Sequence, residues 1–114
     1  MNDIPIRCSN GKAVGYVRGD TFYKTVSASK HFLTTPPGIG FDVDTLDAAE
    51  RNGARFVQVT DRESGTMYRA TLQQIRRKGF RVNRGFGVQL ALALKEWSVN
   101  GAPLAEQLTL GGVL

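Results

Sequence analysis

The sequence contains one cysteine, Cys8, and one histidine, His31, in 114 residues. No disulfide can form within the chain, and a lone thiol with no neighbouring cysteine or histidine makes neither a redox pair nor a thiolate metal site. A histidine-rich metal centre is excluded in the same way. No apolar run approaches the roughly 18 residues that cross a bilayer. The opening MNDIPIRCSNGK has no basic segment followed by an apolar one, as a secretory signal requires. GxSxG, the phosphate-binding glycine-lysine loop and HExxH are all missing, which argues against the enzymes built on them. The expectation is a cytoplasmic protein without a membrane span, with no catalytic residue, cofactor or resident metal assigned.

Acidic residues are missing from one long segment. Residues 64–95 carry seven basic groups and no acidic one, whereas residues 1–63 carry eight of each. The net charge of +5 therefore arises in that segment, and a focused positive potential attracts polyanions. Apolar residues make up 41% of the chain, enough for one modest core.

The patterning predicts a small single α+β domain: a largely antiparallel sheet with two short helices, over residues 1–98. Residues 99–114 read as a C-terminal tail. Ile4–Cys8, Ala13–Arg18 and Thr21–Val26 form an opening meander, with an Asn10-Gly11 hairpin turn. Ser27–Leu33 reads as a turn or two of helix. The prolines at 36 and 37 rule out a regular element running through them, so the segment up to Gly40 reads as either a rigid connection or the wall of a site. Phe41–Asn52 is a helix with its entrance, capped by Asp44 and stopped at Gly53. Ala54–Thr60 and Thr66–Ala70 pair as a hairpin, with Val57 and Val59 inward and Phe56 on the other side. Thr71 caps a second helix that ends at Gly79, followed by a strand at Phe80–Asn83. Phe86–Leu94 alternates as a strand, with a helix as its rival. The expected core is Val14, Val17, Phe22, Leu46, Ala49, Val57, Val59, Ile75, Val82, Leu90, Leu92 and Trp97.

The densest basic cluster supplies the candidate site. Arg76, Arg77, Lys78, Arg81 and Arg84 are arginine-rich, which suits bidentate contacts to phosphate. Lys12, Arg18, Lys24 and Lys30 are candidates to join the same face. Phe86 lies within Arg84-Gly85-Phe86-Gly87, which resembles the first four positions of the aromatic motif of RNA-recognition sheets. Val88, Gln89 and Ala91 depart from the rest of that motif, and the order of elements differs. What the fragment implies is that Phe86 stacks on a base while Arg81 and Arg84 meet phosphate.

The leading expectation is a noncatalytic nucleic-acid-binding or accessory module, with DNA or RNA on this basic surface. The alternative is a protein-interaction or assembly module in which Val88–Leu94 is an exposed edge strand that pairs with a second copy or another protein. The third reading is a small metal-dependent nuclease or phosphodiesterase. It would use Asp42 and Asp44 with an oxygen from Asp20, Asp61 or Glu63, and Lys24, Lys30 or His31 nearby. On the simpler reading these two aspartates serve a helix cap and a turn, and His31 is a surface or packing residue.

Overall fold

The computed structural model describes residues 2–8, 10–26, 38–83, 88–100 and 102–103, with 80–83, 88, 102 and 103 described through their backbone. In chain order the strands are β1 (Ile4–Arg7), β2 (Ala13–Arg18), β3 (Thr21–Val26) and β4 (Gly38–Asp42). Helix α1 (Val43–Arg51) follows, then β5 (Phe56–Asp61), β6 (Met67–Thr71) and helix α2 (Leu72–Lys78). The chain continues through β7 (Phe80–Asn83), β8 (Val88–Ala93), a 3-10 turn (Leu94–Glu96), β9 (Ser98–Val99) and β10 (Ala102–Pro103). The α+β class expected from the patterning is what this order shows.

Two sheets form. The larger runs β1-β2-β3-β5-β6-β9-β10, and the smaller runs β4-β8-β7. Every pairing is antiparallel except β3 with β5, which is parallel. That exception follows from connectivity: the chain leaves β3, forms β4 and α1, and returns as β5 in the same direction. Backbone N–H groups of Arg55 and Phe56 donate to the Asp20 carbonyl at 2.7 and 3.0 Å and fix the register where the join begins.

Alternation within the strands gives the large sheet two unlike faces. Val17, Phe22, Val57 and Ala70 stand in one row across β2, β3, β5 and β6, and all are buried. Leu46 and Ala49 from α1, Leu72 and Ile75 from α2, and Ile39, Phe41, Leu90 and Leu92 from the small sheet join the same core. An aromatic chain ties the layers together. Phe22 meets Phe41 edge-on at 6.3 Å between centroids, and Phe41 meets Trp97 at the same distance. The fully buried Trp97 donates its indole N–H to the Leu92 carbonyl at 3.0 Å, so its one polar atom is satisfied.

Most sequence expectations hold, including the meander, the β5–β6 hairpin and the strand at β8. Of the expected core, Val14 is only partly buried, and the Val82 side chain lies outside the described residues. Two expectations change. The glycine-rich stretch after the prolines is not a rigid connection from residue 38 onward, because Gly38–Asp42 forms β4 against β8. The cap of α1 is Asp42 rather than Asp44, and its carboxylate accepts the Asp44 backbone N–H at 3.4 Å. The helix therefore starts directly from the strand, and the extended Asp42 backbone serves both elements. Gly53 follows the helix with φ +98, the left-handed position expected for glycine after a C-cap. Thr71 caps α2 as expected, its hydroxyl accepting the Gln74 N–H at 2.9 Å. The Ser27–Leu33 helical reading lies outside the described residues, as does the tail beyond residue 103.

Candidate functional site

The outer face of the large sheet is assembled from the side chains left over when the core row is filled. Tyr16, Tyr23, Gln58, Arg69 and Ser98 stand side by side across β2, β3, β5, β6 and β9. The next row holds Arg18, Thr21, Phe56 and Thr71. Both helices and the small sheet pack on the opposite face, and no described element covers this one. The Tyr16 and Tyr23 rings stack at 5.2 Å with 23° between their planes. The Arg18 guanidinium lies 5.3 Å from the Tyr16 centroid, and that of Arg69 lies 4.5 Å from the Phe56 centroid. Arg69 is held flat by bonds to Gln58 Oε1 at 3.1 Å and Thr21 Oγ1 at 3.4 Å. Arg18 makes a two-pronged pair with Asp3 at 2.7 and 2.9 Å. The pair holds the Asp3 carboxyl below the usual range and raises Arg18, with the shared hydrogen bond as the main cause. The arrangement sets planar cations over aromatic rings, beside a stacked tyrosine pair.

A second feature lies on the inner side. Lys24 occupies the core-facing row, level with Val59 and Tyr68. Its ammonium sits 5.4 Å from the Phe41 ring centroid. Burial pushes its pKa below the ordinary lysine value, while Cys8 and Asp42 pull it the other way. Lys24 lines a cleft of about 390 Å³ between the two sheets, together with Asp42, Thr45, Gln89, Cys8 and Arg62. A larger concavity of about 530 Å³ lies at the end of α1, next to Glu50, Gly53 and Arg55, and brings together no comparable group of charges.

The basic cluster read from the sequence is divided by the fold. Arg76 reaches across to α1 and pairs with Asp47 at 2.7 Å and Glu50 at 3.4 Å. Its side chain is 29% exposed, and its Nε is buried with no hydrogen-bond partner among the described residues. Lys78 faces Glu96 at 3.7 Å. Arg77 is exposed. The Arg81 side chain lies outside the described residues, as do Arg84 and Phe86. Lys24 and Arg18, grouped as candidates for one basic face, lie on opposite faces of the large sheet.

Two further expectations meet the fold. Strand β8 is not an edge, because β4 and β7 flank it on both sides, and Leu94 falls in the 3-10 turn. Its alternating leucines are explained by burial rather than by a partner. Asp42 and Asp44 belong to the start of α1, and Asp61 accepts bonds from the Ser64 hydroxyl and the Glu63 N–H in the β5–β6 turn. Among the described residues, no three His, Cys, Asp or Glu side chains gather as a metal site needs. His31 lies outside the described residues. No helix among them is long and apolar enough to cross a membrane.

The sequence reading missed Tyr16, Tyr23, Phe56 and Arg69 as a group. Each falls on the outward position of its strand, which alternation reveals. Their convergence depends on the parallel β3–β5 register, which no local pattern encodes. The chain matches no protein-family model, and no curated protein or solved structure is similar to it, so the geometry of these surfaces is what bears on function.

Proposed function

We propose that this chain is a noncatalytic module that binds single-stranded nucleic acid on the outer face of its large sheet. The observation that carries this reading is the stacked Tyr16–Tyr23 pair flanked by Arg18, with Phe56 under Arg69 one row away. Bases present a π-face whatever their identity, and guanidiniums beside the rings meet the phosphates between them. A flat sheet accepts splayed bases but does not enter the major groove of a duplex as a helix does. The net charge of +5 adds a sequence-independent attraction. Arg77, Arg81, Arg84 and Phe86 stay in the proposal, on their sequence, as a separate polyanion-binding segment. Arg76 and Lys78 contribute to it less, because carboxylates already partner them.

The test is fluorescence anisotropy with labelled single-stranded and duplex DNA and RNA at two salt concentrations. Wild type is expected to prefer single strands and to bind more weakly at higher salt. Stacking is worth about 1–3 kcal/mol per base, so Tyr16→Ala/Tyr23→Ala is expected to lower affinity at least tenfold. An Arg76/Arg77/Arg81→Ala variant is expected to weaken binding to all sequences alike and to flatten the salt dependence. The proposal fails if wild type does not bind at low salt. It also fails if the double tyrosine variant binds as well as wild type.

A further inference from the structure

Lys24 is the residue that the binding face does not explain. The row it occupies is otherwise filled by packing side chains, Val59 and Tyr68 among them. An ammonium in such a place loses hydration, and it is stable there only with compensating charge or hydrogen bonds. Among the described residues it has the face of Phe41 and the nearby Asp42 carboxylate. Its cleft is lined by a second cation, Arg62, and by the neutral hydrogen-bonding groups of Thr45 and Gln89. Among the described residues, Asp42 is the carboxylate on this lining. It offsets one positive charge and helps keep Lys24 protonated, which leaves the walls net positive.

The position of the cleft adds to this. It opens where the parallel strands β3 and β5 end, at Val26 and Arg62, whose N–H donates to the Val26 carbonyl at 2.7 Å. Crevices at the carboxyl ends of parallel strands are the usual ligand positions in sheets built with such crossovers. The cleft also continues onto the outer face. A neighbouring concavity of about 340 Å³ shares Lys24, Thr25 and Arg62 with it and extends to Tyr16 and Tyr23. At its inner side the lining includes Gly40 and Gln89, from the paired strands β4 and β8. A strand lying on the tyrosines therefore reaches the mouth of the cleft.

We infer that the Lys24–Arg62 cleft binds a phosphomonoester, the terminal phosphate of the nucleic-acid strand held by Tyr16 and Tyr23. This rests on the binding function proposed above. A monoester carries close to two negative charges at pH 7, where an internal diester carries one, so it gains more from a net positive lining. Its terminal oxygens are acceptors for the ammonium, the guanidinium and the Thr45 hydroxyl.

The experiment compares oligonucleotides carrying a 5′-phosphate, a 3′-phosphate or hydroxyl at both ends, by anisotropy, on wild type, Lys24→Met and Arg62→Gln. Inorganic phosphate and a nucleoside 5′-monophosphate are titrated in parallel by amide NMR. The expected result is at least tenfold tighter binding of one phosphorylated end, lost in both variants, with affinity for the hydroxyl-ended strand retained. Lys24→Met is expected to fold with an equal or higher melting temperature, because the loss of hydration on burial outweighs the attraction of Asp42 for this ammonium. Equal affinity of wild type for all three strands overturns the phosphate site and leaves the tyrosine face standing. Binding of phosphate or mononucleotide that Lys24→Met abolishes, with no oligonucleotide binding, supports the phosphomonoester site with a free nucleotide as its source and overturns the tyrosine face. Failure of every probe overturns both.

Discussion

Lys24, Trp97 and Asp3 each make a claim that one substitution can check. Lys24 is readable in part from TFYKTV, where alternation puts it on the same face as Phe22 and Val26. What stays hidden is its neighbour Phe41, which arrives from β4 beyond the prolines. Because burial lowers its pKa, the folded protein releases this proton before the unfolded chain does. Stability is therefore expected to rise with pH between the lowered value and the ordinary lysine value, and Lys24→Met should remove that slope from urea titrations. Asp3 has the complementary sign. Its carboxyl is lowered by Arg18, so its small contribution is present above the ordinary aspartate range and is lost as pH falls through the lowered value. The pair is exposed, so Asp3→Asn is expected to leave stability nearly unchanged. It releases Arg18, and anisotropy should record tighter single-strand binding, most visibly at low salt. Trp97→Phe leaves the Leu92 carbonyl without its donor inside the core, at a cost of about 1–3 kcal/mol in denaturant unfolding.

Among the elements, α2 shows how a charge cluster in sequence divides into separate tasks. Arg76, Arg77 and Lys78 are adjacent in the chain, but helical rotation turns Arg76 toward α1, where Asp47 and Glu50 hold it. A composition count cannot see that division, because the carboxylates come from 26 and 29 residues away. Arg76→Ala is expected to cost about 1 kcal/mol of stability, with a coupling to Asp47 measurable in a double-mutant cycle. Arg77→Ala is expected to change stability by less than about 0.5 kcal/mol while weakening nucleic-acid binding. The reverse pattern would show that the two roles had been assigned the wrong way round. Gly79 makes a similar point about local legibility. It ends α2 as its sequence suggests, but its φ is −65, so left-handed geometry is not the reason. A Cβ there would run into the Ile75 carbonyl oxygen and crowd that of Ala91. The hairpin from Phe56 to Ala70 was legible because its alternation and its turn are both local. Strand β4 was not, because its pairing with β8 is the main reason the glycine-rich stretch is extended.

For the molecule as a whole, the outermost strands of the large sheet bear on assembly. On β1 stand Pro5 and Arg7, with an irregular register between Ile6 and Arg7, and β10 is two residues long and contains Pro103. A missing donor, a charge, a bulge and a very short strand all discourage pairing with another sheet. The expectation is that the chain does not associate by extending this sheet, so charge-reversing substitutions along β1 should leave its sedimentation unchanged.

The parallel join of β3 to β5 also governs when the binding face comes into being. The β1–β2–β3 meander and the β5–β6–α2 unit each close through neighbouring segments, whereas the join must bring together strands separated by residues 27–55. Closing so long a loop is the entropically slow event. In stopped-flow refolding, Val59→Ala at the join is expected to slow folding, and Thr71→Ala to act mainly on unfolding. The outer row crosses the same seam, with Tyr16 and Tyr23 on one side and Gln58 and Arg69 on the other. A nascent or half-unfolded chain thus presents the tyrosine pair and Arg18 without Phe56 and Arg69, and the complete face exists only once the two halves have docked.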